Sequence, residues 1–450
     1  MRLSVHALGA FVIAASIAAI AFLAPRPASA FTLKTIYSFC PGGDCTNGGY
    51  PSAGVIRDSA GILYGTNTAG GANNGGNAFD LVPNAAGTRY TYGIVYSFCA
   101  RSGCTDGATP DGGLIEDKSA DFYGVTYSGG ASGQGVAYEL IPNARRTFWK
   151  LKILYAFCKL SGCTDGQEPR FALAYAGAAN GAPYDGVSPL YGTAQGGAHG
   201  VGVVFQLTPG ASAWRYKVIH HFSDAPDGAL PSSGLTVDSQ GNIFGTTAGG
   251  GTGAGTAFEL TPDATGTNWS ETALFDFKVG AAGYTPFGGL ALDGSGDLFG
   301  TTVYGGIDNA VCGGNGNGNS CGVAFELAPV SGKYKEIVLH RFCARTGCVD
   351  GIESSSSFGA FSQYAAPVMG ADGTIFDTTH FGGLHKAGTV FQIDASGFKA
   401  LYDFCARGGS AGCTDGSDPS AVIVDSAGNL YGTTSGGGGT DTGTVFVLKP

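Results

Sequence analysis

The chain is short of charge. Asp, Glu, Lys and Arg together make up 13% of its 450 residues, and no Lys/Arg cluster occurs anywhere along it. With a formal charge of −10, nucleic acid and anionic membrane surfaces are poor partners. Past residue 30 no apolar run is long enough to cross a bilayer. Catalytic signatures are missing as well: there is no H-E-x-x-H, no phosphate-binding Gly loop with Lys, and no S-x-D-x-G-x-x-W box. Tryptophan is scarce, and Trp149, Trp214 and Trp269 each begin a strand-like run, which suits packing better than a sugar-stacking platform. Glycine is abundant, at 79 residues. It is interleaved with regularly spaced Val, Ile, Leu and aromatic residues, a pattern that argues against disorder.

Residues 1–30 read as a secretory signal peptide, with Arg2 in a short n-region, an apolar run from Ala7 to Leu23 and an Ala28-Ser29-Ala30 ending. A membrane anchor would want a longer run without Pro25 and Pro27, and no Cys marks a lipoprotein site. The mature chain is expected to begin near Phe31 and to be secreted, periplasmic or at the cell surface. Loss of Arg2 and Arg26 would take the charge from −10 to −12.

Internal repetition organises the rest. A Phe closes an apolar run at Phe39, Phe98, Phe157, Phe222, Phe277, Phe342 and Phe404, at intervals of 59, 59, 65, 55, 65 and 62 residues. Each interval holds four strand-like runs. After Phe222 they are Gly234 to Asp238, Ile243 to Thr247, Thr256 to Thr261, and a last run ending at Phe277. Thr256, Phe258 and Leu260 alternate with Ala257 and Glu259, as a strand between partly covered faces requires. Asp58, Asp238 and Asp425 open hairpin turns closed by Gly61, Gly241 and Gly428. This predicts an all-β fold over residues 31–450: a seven-bladed β-propeller of four-stranded antiparallel blades. The chain would begin with a lone fourth strand, Thr32 to Phe39, and end with the first three strands of a unit. Joining them would close one blade and leave no open sheet edge at the seam. A linear β-solenoid would have a shorter rung and no need for a split terminal unit.

The units at residues 234–260, 289–327 and 421–448 share the form G/A-L/V-x-x-D-x-x-G-N/D-L/I-Y/F-G-T-T, then G-G, then G-T/V-V/A-F-x-L. In this they resemble the Gloeo/Verruco (GloVer) tandem repeat family of secreted bacterial proteins. The resemblance covers nearly all of the chain past residue 30 and implies an extracytoplasmic repeat domain; it brings no catalytic residues with it. Departures fall at Val125, at Asp377, and at an insertion around Gly181 to Ser188.

The twelve cysteines form six close pairs: Cys40 with Cys45, Cys99 with Cys104, Cys158 with Cys163, Cys312 with Cys321, Cys343 with Cys348, and Cys405 with Cys413. Even number, short spacing and the signal peptide make local disulfides the leading expectation. Metal binding is the alternative, but no pair has a second pair or a His close by in sequence. In a four-stranded blade all six pairs and the Gly-Gly loops would gather on one face, the candidate binding surface. There Asp106, Asp165, Asp227, Asp350 and Asp415 each precede a Gly. Five carboxylates around a channel suit Ca²⁺ or sugar hydroxyls; a turn that caps its own loop explains the same repetition more simply. His199, His380 and His385 are the asymmetric residues of that face, a candidate metal or acid–base set that would have to span the ring. His220, His221 and His340 sit in fourth strands, where packing is expected.

The function expected from the sequence is a secreted, non-catalytic binding or surface-interaction module, monomeric, with no cofactor beyond Ca²⁺ and an extracellular polysaccharide or protein as ligand. Two alternatives stand beside it: a carbohydrate-active enzyme with its site at the channel mouth, and a structural envelope or matrix protein.

Overall fold

Each repeat folds into its own small antiparallel sheet because turn residues stand wherever the apolar alternation breaks. Asp58 accepts from the amide of Ile62 at 2.8 Å, Asp238 from Asn242 at 2.8 Å and Asp425 from Asn429 at 2.9 Å, so one side chain fixes each first hairpin. The computed structural model describes residues 31–178, 182–307, 312, 320–352, 366–409 and 412–450. Among them strands dominate, helical turns are short, and no helix is long and apolar enough to cross a membrane.

Seven sheets follow one another around a ring, as the repeat count predicts. The first blade pairs Ile56–Arg57, Leu63–Asn67, Asn77–Pro83 and Tyr90–Ser97 in order, and the second pairs Ile115–Glu116, Phe122–Thr126, Val136–Pro142 and Trp149–Ala156. Blades four and five have a first strand broken in two, Gly228–Pro231 with Thr236–Val237 and Tyr284–Pro286 with Ala291–Leu292. In blade three, which carries the insertion, the first strand shrinks to a bridge between Ala174 and Tyr191. The last blade closes as expected: Thr32–Ser38 pairs antiparallel with Thr444–Lys449, from Thr32 opposite Lys449 to Ser38 opposite Thr444. Thr444–Lys449 is thereby flanked on both sides, and Thr32–Ser38 takes the outer position that the fourth strand holds in the other blades.

The repeated residues are those that join blade to blade. All seven marker phenylalanines are at most 1% exposed. Each packs edge to face on an aromatic ring of the next blade's third strand, through Phe39–Phe79, Phe98–Tyr138, Phe157–Phe205, Phe222–Phe258, Phe277–Phe325, Phe342–Phe391 and Phe404–Phe446. Centroids lie 5.0 to 5.5 Å apart at 59° to 70°, the geometry that aromatic quadrupoles favour.

The Gly-Thr-Thr signature of the second strand serves the same joints. A Cβ on Gly65, Gly192, Gly245, Gly300 or Gly432 would come within 2.5 to 2.7 Å of that third-strand ring, so only glycine leaves it room. The first Thr reaches the next blade: Thr66 donates to Gly112 O at 3.1 Å, Thr246 to Gly288 O at 3.0 Å and Thr433 to Ala53 O at 2.8 Å. The second Thr ties its own hairpin. Thr247 donates to Gly249 O at 2.8 Å and accepts from Thr256 N at 3.1 Å, and Thr434 does the same with Gly436 and Thr444. Val125 is the blade-two departure and has no hydroxyl to donate. The three Trp residues pack against aromatic rings, Trp149 on Phe122, Trp214 on Tyr123 and Trp269 on Tyr191.

Candidate functional site

The links between blades gather on one face with the Gly-Gly loops, and all six cysteine pairs are disulfides. They join Cys40 to Cys45, Cys99 to Cys104, Cys158 to Cys163, Cys312 to Cys321, Cys343 to Cys348, and Cys405 to Cys413. The short spacing is met by a single helical turn in the link: Cys45 opens the turn Cys45–Asn47, and Cys163 closes the turn Ser161–Cys163. Both of these cysteines are half-buried, whereas Cys343 and Cys348 are buried. Inside these links the recurrent Asp turns inward. Asp106, Asp165, Asp350 and Asp415 are at most 2% exposed, while Asp227 is half-buried. Asp106 accepts from Tyr96 Oη at 2.7 Å and from the amides of Ala100 and Arg101 at 3.0 Å. Asp165 repeats the arrangement with Tyr155, Lys159 and Leu160. In Asp350 the phenol is replaced by His340 Nε2 at 3.0 Å. Burial opposes ionisation of Asp350, yet its bonds to His340 and to the Arg345 amide outweigh that and hold the carboxyl below the ordinary carboxylate range. Tyr402 donates to Asp415 at 2.6 Å. His220 Nε2 sits 3.3 Å from Asp227 Oδ2, an electrostatic contact without hydrogen-bond alignment.

The partner two residues before each marker Phe changes in step with the Asp. Tyr96, Tyr155 and Tyr402 or His220 and His340 stand opposite an Asp; Tyr37 bonds Asn47 in the first link; and Phe275, which cannot donate, stands where the link carries Ala282. These carboxylates are engaged by their own loops.

A second ring, which sequence reasoning missed, lies where each link meets the first strand of its blade. Tyr50, Thr109, Glu168, Leu230, Thr285 and Asp418 all have φ between 51° and 58°, and each is followed by proline, Pro51, Pro110, Pro169, Pro231, Pro286 and Pro419. The corresponding position in blade six lies outside the described residues. At each of the six, the backbone N–H donates to a carbonyl of the preceding blade at 2.7 to 3.0 Å, from Tyr50 to Thr442 O around to Asp418 to Ala387 O. Left-handed backbone costs a residue with a side chain roughly 1 kcal/mol, so a scaffold alone would favour glycine here. Instead the six side chains are present, and all but the two threonines differ. Tyr50 and Leu230 are exposed at 44% and 54%. Tyr127 Oη donates to Glu168 at 3.0 Å, and the Arg170 guanidinium stacks 4.2 Å above the Tyr127 ring. Asp418 is half-buried, and desolvation together with the nearby Asp441 pushes its carboxyl up to about 6. The signal was the dipeptide X-Pro recurring six times with X varied.

The three histidines of the candidate set differ in setting. His199 and His385 are exposed in their loops, whereas His380 is buried, which lowers its imidazole to about 4. Among the described residues they form no metal-ligating group. The cysteines depart from the sequence expectation in one respect: the Cys312–Cys321 and Cys343–Cys348 pairs, apart in sequence, meet in space, with all four Sγ atoms within 4.8 Å of one another. The sequence reading finds no G-x-S-x-G, and this is corrected: Gly408-Gly409-Ser410-Ala411-Gly412 is such a string. Its Ser410 and Ala411 lie outside the described residues.

A groove of about 660 Å³ runs between the outer strands of blades four and five, lined in part by Glu259, Phe275, Asp276, Lys333, Tyr334 and Glu336. Burial pushes the Glu336 carboxyl up to about 7, with Arg341 opposing, and its Oε1 is buried without a hydrogen-bond partner.

No curated protein sequence matches the chain. Solved structures with a similar chain path include a luciferin-regenerating enzyme (TM-score 0.37, 11% identity, 93% of this chain and 95% of that one). Trypanosoma rangeli sialidase gives 0.39 and 10% identity over 82% of this chain and 57% of the sialidase, so the chain spans little more than half of that protein. Penicillium chrysogenum alpha-L-arabinanase complexed with arabinobiose gives 0.42 and 15% over 75% and 92%. Likeness at this level carries no substrate with it. The repeat units do carry a family: residues 25–188 and 176–357 match the Gloeobacter/Verrucomicrobia repeat, and the chain belongs to that family.

Proposed function

We propose that the protein is an exported binding module, released from a signal peptide at residues 1–30, that takes its ligand at the loop face around the ring axis without transforming it. One observation carries this reading. At six equivalent positions, one in every blade but the sixth, the backbone is the same and strained, yet the side chains are Tyr50, Thr109, Glu168, Leu230, Thr285 and Asp418. Scaffold positions in this chain repeat; these vary, and variation at a strained site marks a surface shaped for something else. An aromatic ring, hydroxyls and carboxylates set around a rim suit a polyhydroxylated chain, and an extracellular polysaccharide is the ligand class we assign. Asp106, Asp165, Asp227, Asp350 and Asp415 then serve as loop anchors beneath that rim rather than as Ca²⁺ ligands.

The experiment compares the mature protein with a variant carrying Tyr50→Gly, Glu168→Gly and Asp418→Gly for retention on a panel of bacterial and plant polysaccharides. Glycine relieves the strain, so the variant is expected to stay folded, with its thermal midpoint unchanged or raised, and to lose retention. Equal retention by both proteins overturns the assignment of the rim.

A second reading, an enzyme acting on extracellular carbohydrate, is favoured by Glu336. A carboxyl raised to about 7 in a groove beside Glu259 and Asp276 has the ionisation a general acid needs. Release of new reducing ends from the same panel, abolished in Glu336→Gln, would decide for that reading.

A further inference from the structure

We propose that Cys312, Cys321, Cys343 and Cys348 form a convertible metal site, two disulfides when oxidised and a tetrathiolate cage for one Zn²⁺ when reduced. The fold makes this cluster and makes it once among the described residues. Cys312 and Cys321 come from the loop between the second and third strands of blade five, and Cys343 and Cys348 from the link that follows its fourth strand. The four sulfurs meet within 4.8 Å. In the link that joins Cys99 to Cys104, and in the one that joins Cys158 to Cys163, no second cysteine pair stands opposite, so two sulfurs are all that such a link offers.

The geometry and setting suit a soft divalent ion. A tetrahedral tetrathiolate site places its sulfurs about 2.3 Å from zinc, and so roughly 3.8 Å from one another. Reaching that arrangement asks the unbonded sulfurs to close by about 1 Å at most and the bonded ones to part. Cys312, Cys321, Cys343 and Cys348 are all at most 7% exposed and pack with Phe342, Ile352 and Phe391, a dry shell that excludes competing water ligands. Four sulfurs and no carboxylate or imidazole select Zn²⁺ over Ca²⁺ or Mg²⁺.

The conversion balances as follows. Each S–S bond breaks on taking two electrons and two protons from a dithiol, which is itself oxidised to a disulfide; two dithiols serve the two bonds. Binding Zn²⁺ then displaces the four thiol protons to water. In the reverse direction two disulfide molecules take the four electrons from the four thiolates and four protons from water, becoming dithiols, while the two S–S bonds re-form and Zn²⁺ leaves. The site is therefore a metal store or sensor that opens with the thiol–disulfide balance around the protein.

The test uses the full mature chain, reduced with a phosphine that does not ligate zinc, and titrated anaerobically with Co²⁺ and then Zn²⁺. One equivalent of Co²⁺ is expected to bind with the visible bands and near-ultraviolet charge transfer of a tetrahedral tetrathiolate, and Zn²⁺ is expected to displace it. The double variant Cys312→Ser with Cys321→Ser should lose that equivalent, while Cys99→Ser with Cys104→Ser should keep it. A chain in which the other eight cysteines are Ser carries the cluster alone and should bind the same single equivalent. Equal metal uptake by the first two variants, a spectrum of fewer than four thiolates, or no uptake by reduced protein each overturns the proposal.

Discussion

The link into blade two and the link into blade four do the same work with different means. The first runs from Phe98 to Gly107, carries the Cys99–Cys104 disulfide, and buries Asp106 under Tyr96. The second, from Phe222 to Gly228, has no cysteine, yet Asp227 still turns inward to the Ser223 amide at 3.0 Å and faces His220. The link into blade five, Phe277 to Gly283, has neither Cys nor Asp and still delivers Phe277 to Phe325 at 5.2 Å. What never varies is the phenylalanine. The joint between blades is an aromatic contact; the carboxylate, where present, fixes the loop above it, and the disulfide, where present, closes that loop covalently.

That ranking can be broken by experiment. Phe98→Ala and Phe222→Ala should each cost about 3–5 kcal/mol in chemical denaturation, because a fully buried ring is lost from either joint. A much smaller cost at Phe98 would mean that the disulfide carries its joint after all.

Blade six sharpens the comparison within the second strand. Asp377 occupies the place of Gly124 and Gly245, and burial pushes its carboxyl from 3.8 up to about 7, opposed by the Thr378 amide. Its folded form holds a proton that the unfolded chain has released, so stability is greatest below about 4 and falls as pH rises toward 7. The slope approaches roughly 1.4 kcal/mol per pH unit. Asp377→Asn should flatten the dependence of the urea midpoint on pH across that window; an unchanged slope places the titrating group elsewhere.

The smallest pair of effects separates anchor from staple. Asp106→Ala leaves the Ala100 and Arg101 amides and the Tyr96 hydroxyl without their charged acceptor and should cost about 2–3 kcal/mol. Cys99→Ser with Cys104→Ser, which makes the link chemically like the one into blade four, should cost about 2 kcal/mol, the entropy of a short closed loop. If the order reverses, the covalent bond and not the carboxylate folds the link.

The blades were legible in the sequence because each strand repeats its own physical requirement: a Phe for the joint, a Gly to leave room for a ring, a Thr for each hydrogen bond. The departures noted there, Val125, Asp377 and the insertion in blade three, fall where a cross-blade bond is missing, where a carboxyl is buried and where a first strand is reduced to one bridge. The close pairing of the cysteines was equally plain, since each pair, from Cys40 with Cys45 onward, closes within its own loop. The meeting of the Cys312–Cys321 and Cys343–Cys348 pairs was not, because it is a contact in space between cysteines far apart in sequence, a relation that spacing does not encode. The pre-proline ring escaped for the opposite reason. Repeats are found by what recurs, and these positions are recognisable by backbone conformation while their side chains vary.

The closing strand, Thr32–Ser38 against Thr444–Lys449, also sets an order of events. Within each other blade, neighbouring strands are close in sequence and can form as soon as they are made. The seam joins Thr440 to the carbonyl of Phe39 across 401 positions, and its loop-closure entropy is met only after the intervening units have compacted the chain. Ring closure therefore carries the greatest loop-closure cost of the joints described here, and loss of a whole blade would change the spacing at which the two ends have to meet.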